Sequence, residues 1–561
     1  MRTVLFFLLT GVMAVPGALA QRQAPTPAPA PVATPSAAPG GSAEPSDQVI
    51  AKIIARETEE MGVIRKYSPL VETYVQQTKG DPQEGWLPNG DRYFLGHANF
   101  ANGLGLEPIA PRNTNVVHWT LGQMNKVFGF ATEFLPRGFL QMIYVDSAGL
   151  NTQNYHFEYV RREFLGEVRT LVFDVTPIGR NNKGRFVGRI WADDVSFTIV
   201  RFNGTYASGR KLTNNFDFDS WRVNAGPNLW LPEFIYSEEQ APKFGTGSTI
   251  HFKAQTRLWG YNVGRSRQEE ELSTVLVEAN APIEDKSAQD NDLSPLQEKR
   301  EWERQAANNV INELQKIGLI APAGEVDKVL ATVTNNLEVT NHVDLEPEVD
   351  CRVLMTSTIE SFTVGRTIVM SRGLIDVLPD EASLAAMVAK ELAYILLDRA
   401  PDTRFGFYYR LLQLDEKKTF QHFDFARSKE DDAAASAKAA ELLANSPYKD
   451  QLRIARLFVA ELQKRSKEIP NLISPRLGDA TLAGASVSAN AEDSAAPNEI
   501  VALPLGGRVK LDPWNDDLEL LKTQPVRNLA EREKMPFEVT PFMPYLTREA
   551  DNNPKAAQGS E

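Results

Sequence analysis

Between Asn99 and Val277 apolar and polar residues alternate with a period of two, the pattern of strands with one face turned inward and one outward. Phe216 and Phe218 stand against Asp217 and Asp219; Phe252, Ala254, Thr256 and Leu258 stand against His251, Lys253, Gln255 and Arg257. Strand-like runs recur at Tyr155–Val160, Thr170–Thr176, Arg185–Ala192, Ser196–Phe202, Asn215–Asn224, Leu229–Ser237 and Ile250–Tyr261. Turn-forming residues separate them at Asn181-Asn182-Lys183-Gly184, Asn203-Gly204 and Ala225-Gly226-Pro227, so an antiparallel meander with one wet face is predicted.

From Ser294 the period becomes helical. Ser294–Ile317 is a charged amphipathic helix, with Trp302, Val310, Leu314 and Ile317 among its apolar positions. Val326–Leu337 and Tyr448–Lys467 follow, and Glu381–Arg399 reads as one helix capped by Asp380, with Leu384, Met387, Val388, Glu391 and Ile395 at helical spacing. The fold class is therefore α+β: an antiparallel β-rich half-barrel or sandwich domain followed by a mainly helical domain. The predicted divisions are a helical lead-in at 48–80, a β-rich domain at 81–285 and a helical domain at 290–479. Residues 480–561 form a linker and an extended arm, including the Ala/Ser-rich Ala480–Asn498 and the strand-like Phe537–Phe542.

Residues 1–20 carry Arg2, an apolar run from Thr3 to Val15 and Ala18-Leu19-Ala20 before Gln21, the layout of a cleaved secretory signal. Residues 21–47 are dominated by Ala, Pro, Ser, Thr and Gly, a disordered spacer. The apolar core of the signal is too short for a permanent anchor, and no other stretch approaches a spanning length. An exported chain, periplasmic or extracellular, with no transmembrane anchor after signal cleavage is expected. A formal net charge of −13 and a pI of about 5.2 argue against nucleic-acid partners.

The candidate chemistry lies in Lys390-Glu391-Leu392-Ala393-Tyr394. Upstream runs the apolar segment Phe362–Met370, then Ser371-Arg372-Gly373-Leu374; within the helix stands Leu384-Ala385-Ala386-Met387-Val388-Ala389. Downstream stands Leu442-Leu443-Ala444-Asn445-Ser446-Pro447-Tyr448. These blocks resemble the zinc metallopeptidases related to the CaaX prenyl protease and to the HtpX envelope protease, over roughly Leu296 to Asp479. The resemblance implies that Glu391 is a vestigial general base in a degenerate H-E-x-x-H, and that Lys390, Tyr394 and Asp432 occupy the ligand positions, with Ser436 at the family Asp.

Catalytic zinc takes three neutral or anionic donors, and deprotonating Lys390 at neutral pH costs roughly 4–5 kcal/mol. The six histidines, His97, His118, His156, His251, His342 and His422, offer no i, i+4 pair, and Cys351 is the single cysteine. No cofactor is expected, zinc being the alternative. Lys390 is instead expected to pair with Asp432. Cys351 reads as a buried small hydrophobe.

The β-rich half, with Gly188-Arg189-Ile190-Trp191-Ala192-Asp193, resembles the LolA/LolB lipoprotein carriers, which implies a concave face for acyl chains. A sandwich whose core is filled by Trp191, Trp221, Trp230 and Trp259 stays open beside it. The reading is an exported, catalytically inactive metallopeptidase homologue that binds lipid, lipoprotein or protein partners, with a secreted zinc endopeptidase as the alternative.

Overall fold

The computed structural model describes residues 46–81, 85–101, 103–109, 137–179, 182–207, 216–239, 251–261, 295–398, 427–473, 509–511, 518–520 and 537–548. The signal, nearly all of the spacer, His118, His422 and the Ala480–Asn498 linker lie outside these residues. The chain is α+β, a large antiparallel sheet followed by helices.

Seven strands form the meander: β4 (Tyr155–Leu165), β5 (Val168–Pro177), β6 (Phe186–Asp193), β7 (Ile199–Tyr206), β8 (Asp217–Gly226), β9 (Leu229–Glu239) and β10 (His251–Trp259). Three earlier strands, β1 (Leu70–Asp81), β2 (Gly85–Asn99) and β3 (Gly105–Pro108), extend it into a ten-stranded sheet in the order β3-β2-β1-β10-β9-β8-β7-β6-β5-β4. The predicted helical lead-in is thus helical only in α1 (Ser46–Ile64), and from Leu70 it is strand. Glu72 and Gln76 account for the difference, because they are buried polar residues that blur the alternation of β1. Asn203-Gly204 is not a turn either. Gly204 sits inside β7 opposite Gly188 of β6, and a Cβ on it would lie 2.2 Å from the Val187 carbonyl oxygen.

One sheet face packs Val71, Val75, Phe173, Phe186, Phe202, Phe218, Ile235 and Phe252 against Ile50, Ile53 and Ile64 of α1, with Phe139, Leu140 and Ile143 in and after α2 (Arg137–Gln141). Two acidic residues of α1, Glu57 and Glu60, also turn inward. Arg222 of β8 meets Glu57 in a two-pronged pair at 2.6 and 2.8 Å and adds the Ile199 carbonyl at 3.1 Å. Glu60 accepts from the Trp230 N–H at 3.1 Å, and burial raises its carboxyl above the usual range.

The opposite face was expected to be wet, but over β1 and β10 it is buried, because the helical half docks there. Gln255 and Arg257 are both covered. A single apolar cluster therefore runs from Trp191, Trp221 and Trp259 in the sheet into the helical half, where two separate cores were expected. That half comprises α3 (Pro295–Lys316), α4 (Glu325–Thr340), β11 (Asp350–Leu354), β12 (Ser361–Val364), β13 (Thr367–Ser371), α5 (Arg372–Val377), α6 (Glu381–Leu396), α7 (Lys429–Ala444), α8 (Leu452–Arg465) and α9 (Pro470–Ile473).

Polar contacts fix the junction. Glu72 accepts from Tyr93 and from both the N–H and the hydroxyl of Ser357, each at 2.6 Å. Asp91 accepts from the Asn471 and Leu472 N–H groups at 2.9 and 2.7 Å, and Trp259 donates to the Gly318 carbonyl at 2.9 Å.

The extended arm, residues 537–548, then crosses the sheet. Gln76 of β1 donates to the Phe537 carbonyl, Lys253 of β10 pairs with Glu538, and Phe542 lies edge-on to Phe234 of β9. Beyond these, the backbone N–H of Glu167 in the β4–β5 turn donates to the Leu546 carbonyl, and Arg548 pairs with Asp193 of β6. Gly166, at φ 66, leaves no room for a Cβ, which would lie 2.5 Å from the Leu546 oxygen.

Because the Arg222–Glu57 pair is fully buried, Arg222→Met should destabilise the fold by about 3–5 kcal/mol by stranding a carboxylate, and Arg222→Met with Glu57→Leu should recover most of that. Chemical denaturation of the single and double variants measures both; equal losses in the two would contradict the account.

Candidate functional site

The Ser371-Arg372-Gly373 motif has a separate structural reason at each letter. Ser371 caps α5, accepting from the Leu374 N–H at 3.1 Å, and Gly373 passes so close to Ser357 that a Cβ would lie 2.1 Å from the Ser357 carbonyl oxygen. Arg372 donates to the Val509 carbonyl at 2.9 Å in β14 (Val509–Leu511), which pairs with β15 (Leu518–Leu520). Asp380 caps α6 through the Ser383 N–H at 2.8 Å. The helix is then buried from Ala382 to Tyr394, with α4, α7 and α8 packed around it.

Lys390 and Tyr394 lie one turn apart and face α7. The Lys390 ammonium stands 2.7 Å from Asp432 Oδ1, the pairing its sequence position predicts, and the Tyr394 hydroxyl donates to the same oxygen at 2.8 Å. The ammonium approaches off the line of a hydrogen bond, so this contact is a charge pair. Arg427 closes the group from another side: its guanidinium lies 4.9 Å from the centre of the Tyr394 ring and donates to the Thr363 carbonyl at 3.1 Å.

Glu391 points elsewhere. A helix turns 100° per residue, which aims its side chain at β12. There the Ser361 hydroxyl donates to one carboxylate oxygen at 2.6 Å and the Thr363 hydroxyl to the other, also at 2.6 Å. Only 2% of Glu391 is exposed. In a working H-E-x-x-H helix two neutral imidazoles share a metal and the Glu reaches the activated water. Here the corresponding positions supply an ammonium, a phenol and one carboxylate already engaged by both, a set that does not fit a zinc ion.

The reading of the sequence missed Ser361, Thr363 and Arg427. The first two had a visible signal, since in Ser361-Phe362-Thr363 the hydroxyls share one strand face. Ser436 is buried on α7. Of the histidines, His97, His156 and His251 lie on β2, β4 and β10, and His342 follows α4. Among the described residues no three His, Cys, Asp or Glu side chains gather as metal ligands. Cys351 is buried 3.4 Å from the Thr334 hydroxyl, and burial pushes its thiol up to about 12. Among the described residues no helix is long and apolar enough to cross a membrane.

No family model matches the chain, and no curated protein does. Among solved structures, a Vibrio parahaemolyticus domain described as outer membrane lipoprotein-sorting is similar to the N-terminal part, at 12% identity and a TM-score of 0.19. It covers 40% of this chain and 99% of its own. That likeness is weak, and no match supports the metallopeptidase resemblance of the helical half.

With the Asp432 side chain 17% exposed, Lys390→Met should destabilise by about 1–3 kcal/mol, and adding Asp432→Asn should cost less than the sum of the two single changes. A double-mutant cycle in urea gives the coupling; strict additivity would show that the pair holds nothing together.

Proposed function

We propose that this chain is a non-catalytic binding module of the cell envelope, exported by its N-terminal signal, whose β-rich half takes an apolar ligand such as a lipid or the acyl part of a lipoprotein. The observation that carries the non-catalytic part is the commitment of Glu391 to Ser361 and Thr363, with Lys390 set against Asp432. A general base needs a free lone pair within reach of water, and both carboxylate oxygens of Glu391 are engaged in a buried site. A divalent ion at the Lys390 position would also have to displace an ammonium from its counter-charge.

The ligand part draws on the sheet face under α1, where Phe139, Phe173, Phe186, Phe202, Phe216 and Phe252 form an aromatic layer. The layer is buried under α1 and α2, so an acyl chain would reach it by displacing one of these helices. Protein partners at the helical half fit the same reading.

Purified mature protein is expected to carry no stoichiometric zinc by elemental analysis and to leave unfolded casein uncut. One zinc per chain, with cleavage lost in Glu391→Gln, would establish the endopeptidase reading instead. The variant Lys390→His/Tyr394→His/Asp432→Glu should gain zinc affinity. For the ligand part, solvent extraction of the purified chain followed by mass spectrometry should release acyl-containing molecules. An empty extract from protein that also fails to take up a fluorescent fatty acid would overturn it.

A further inference from the structure

Two buried arginines lie at the junction of the sheet and the helical half, near enough that each feels the other's charge. Arg257 of β10 is the cross-strand partner of Glu72 on β1 and of Phe234 on β9, so these residues share a row on the face that the helical half covers. Glu233 is the extra residue where the β8–β9 register shifts, beside Phe234. Arg372 comes down from α5, next to the Gly373–Ser357 contact that seats the helical half on Glu72. Lys510 is supplied by β14, the strand held by Arg372 at the Val509 carbonyl and by Asp376 at the Val509 N–H, 3.1 Å away.

The three cations share this junction with the carboxylates of Glu72, Asp376 and Glu233, two of which are committed elsewhere, Glu72 to Tyr93 and Ser357 and Asp376 to the Val509 N–H. Both arginines are only 7% exposed. Arg257 makes no side-chain hydrogen bond or ion pair with any described residue, because the Glu72 carboxylate is engaged by Ser357 and Tyr93. Arg372 has one acceptor among the described residues, the Val509 carbonyl, and its buried Nε–H has none. A guanidinium brings five N–H donors, and leaving them unsatisfied beside a second guanidinium is costly. Burial and then the neighbouring Arg257 push Arg372 down to about 9, against the pull of Asp376, Glu233 and Glu72.

We propose that Arg257, Arg372 and Lys510 form a binding site for a tetrahedral oxyanion, a sulfate- or phosphate-like group, at this junction. The planar donors of the arginines match paired oxygens, and Lys510 adds a point charge at the rim. Lys510 is partly exposed and lies 5.8 Å from the ring centre of the exposed Tyr545, which marks the side open to entry. The group can arrive free or as a lipid headgroup.

Glu233 is the internal competitor. Arg372, Lys510, Arg257 and Tyr261 face it, and burial lifts its carboxyl to about 7 against the pull of the three cations. Below that value it is neutral and leaves the cations to an external anion; above it, its own charge takes that place. Oxyanion affinity therefore falls as pH rises through this range.

The test is calorimetric titration of sulfate into the full chain at about pH 6 and about pH 8, sulfate itself keeping one charge state across that window while Glu233 does not. Saturable binding is expected at the lower pH, several-fold weaker at the higher, with Glu233→Gln removing the difference. Arg257→Gln should weaken it about tenfold, the loss of a charge-assisted contact. Lys510→Gln, at a partly exposed position that leaves the core intact, should weaken it several-fold. No saturable sulfate binding at the lower pH, or binding that neither Arg257→Gln nor Lys510→Gln alters, overturns the proposal. Flotation with vesicles of phosphatidylcholine, with and without phosphatidylglycerol, separates the two sources. Retention that needs phosphatidylglycerol, is displaced by sulfate and is lost in Arg257→Gln assigns a lipid headgroup, whereas sulfate binding without retention assigns a free oxyanion.

Discussion

A carboxylate trapped between two layers must find donors in both of them or drive them apart. Glu72 finds a phenol from its own sheet and a serine N–H and hydroxyl from the layer above. Much of the molecule follows from that arrangement. Satisfying Glu72 brings the Ser357 loop onto β1, and Gly373 lets α5 approach that loop. The approach brings Arg372 to the junction where Arg257 lies and positions the start of α6. The sheet accordingly loses the wet face that an isolated meander would keep, and one core spans what the alternation and helical periods present as two.

The parts of the fold visible in the sequence are those where burial and polarity agree. In β5 to β10 the apolar side chains face inward in the expected register, and α3, α4, α6 and α8 follow their helical periods. The reading fails where they disagree. Leu70–Asp81 hides a central strand because Glu72 and Gln76 are buried by partners hundreds of residues away, and no local window contains Ser357 or Phe537. Asn203-Gly204 has turn composition, yet its glycine serves a close approach between two strands.

The same division runs through the candidate site. Lys390 and Tyr394 share a face by helical spacing alone, and Asp432 was placed through a motif, so their meeting was within reach of the sequence. The fate of Glu391 was not. It depends on β12 lying alongside α6, which sets two hydroxyls at the ends of one carboxylate. Lys390 with Asp432 ties α6 to α7, and Glu391 with Ser361 and Thr363 ties α6 to β12, so two neighbouring residues anchor one helix in two directions.

The arm that crosses the sheet sets an order of events. Its first anchor joins Gln76 to Phe537, 461 positions apart, and its last reaches back to Asp193. During synthesis the N-terminal strands emerge long before the segment that lies across them. Until that segment arrives, Phe234 lacks the Phe542 ring that packs on it, and closing so long a loop is slow. The nascent chain must therefore pass through a stage in which an aromatic surface waits for its own tail, a period when a chaperone could hold it and when premature termination would leave a sticky, unfinished sheet.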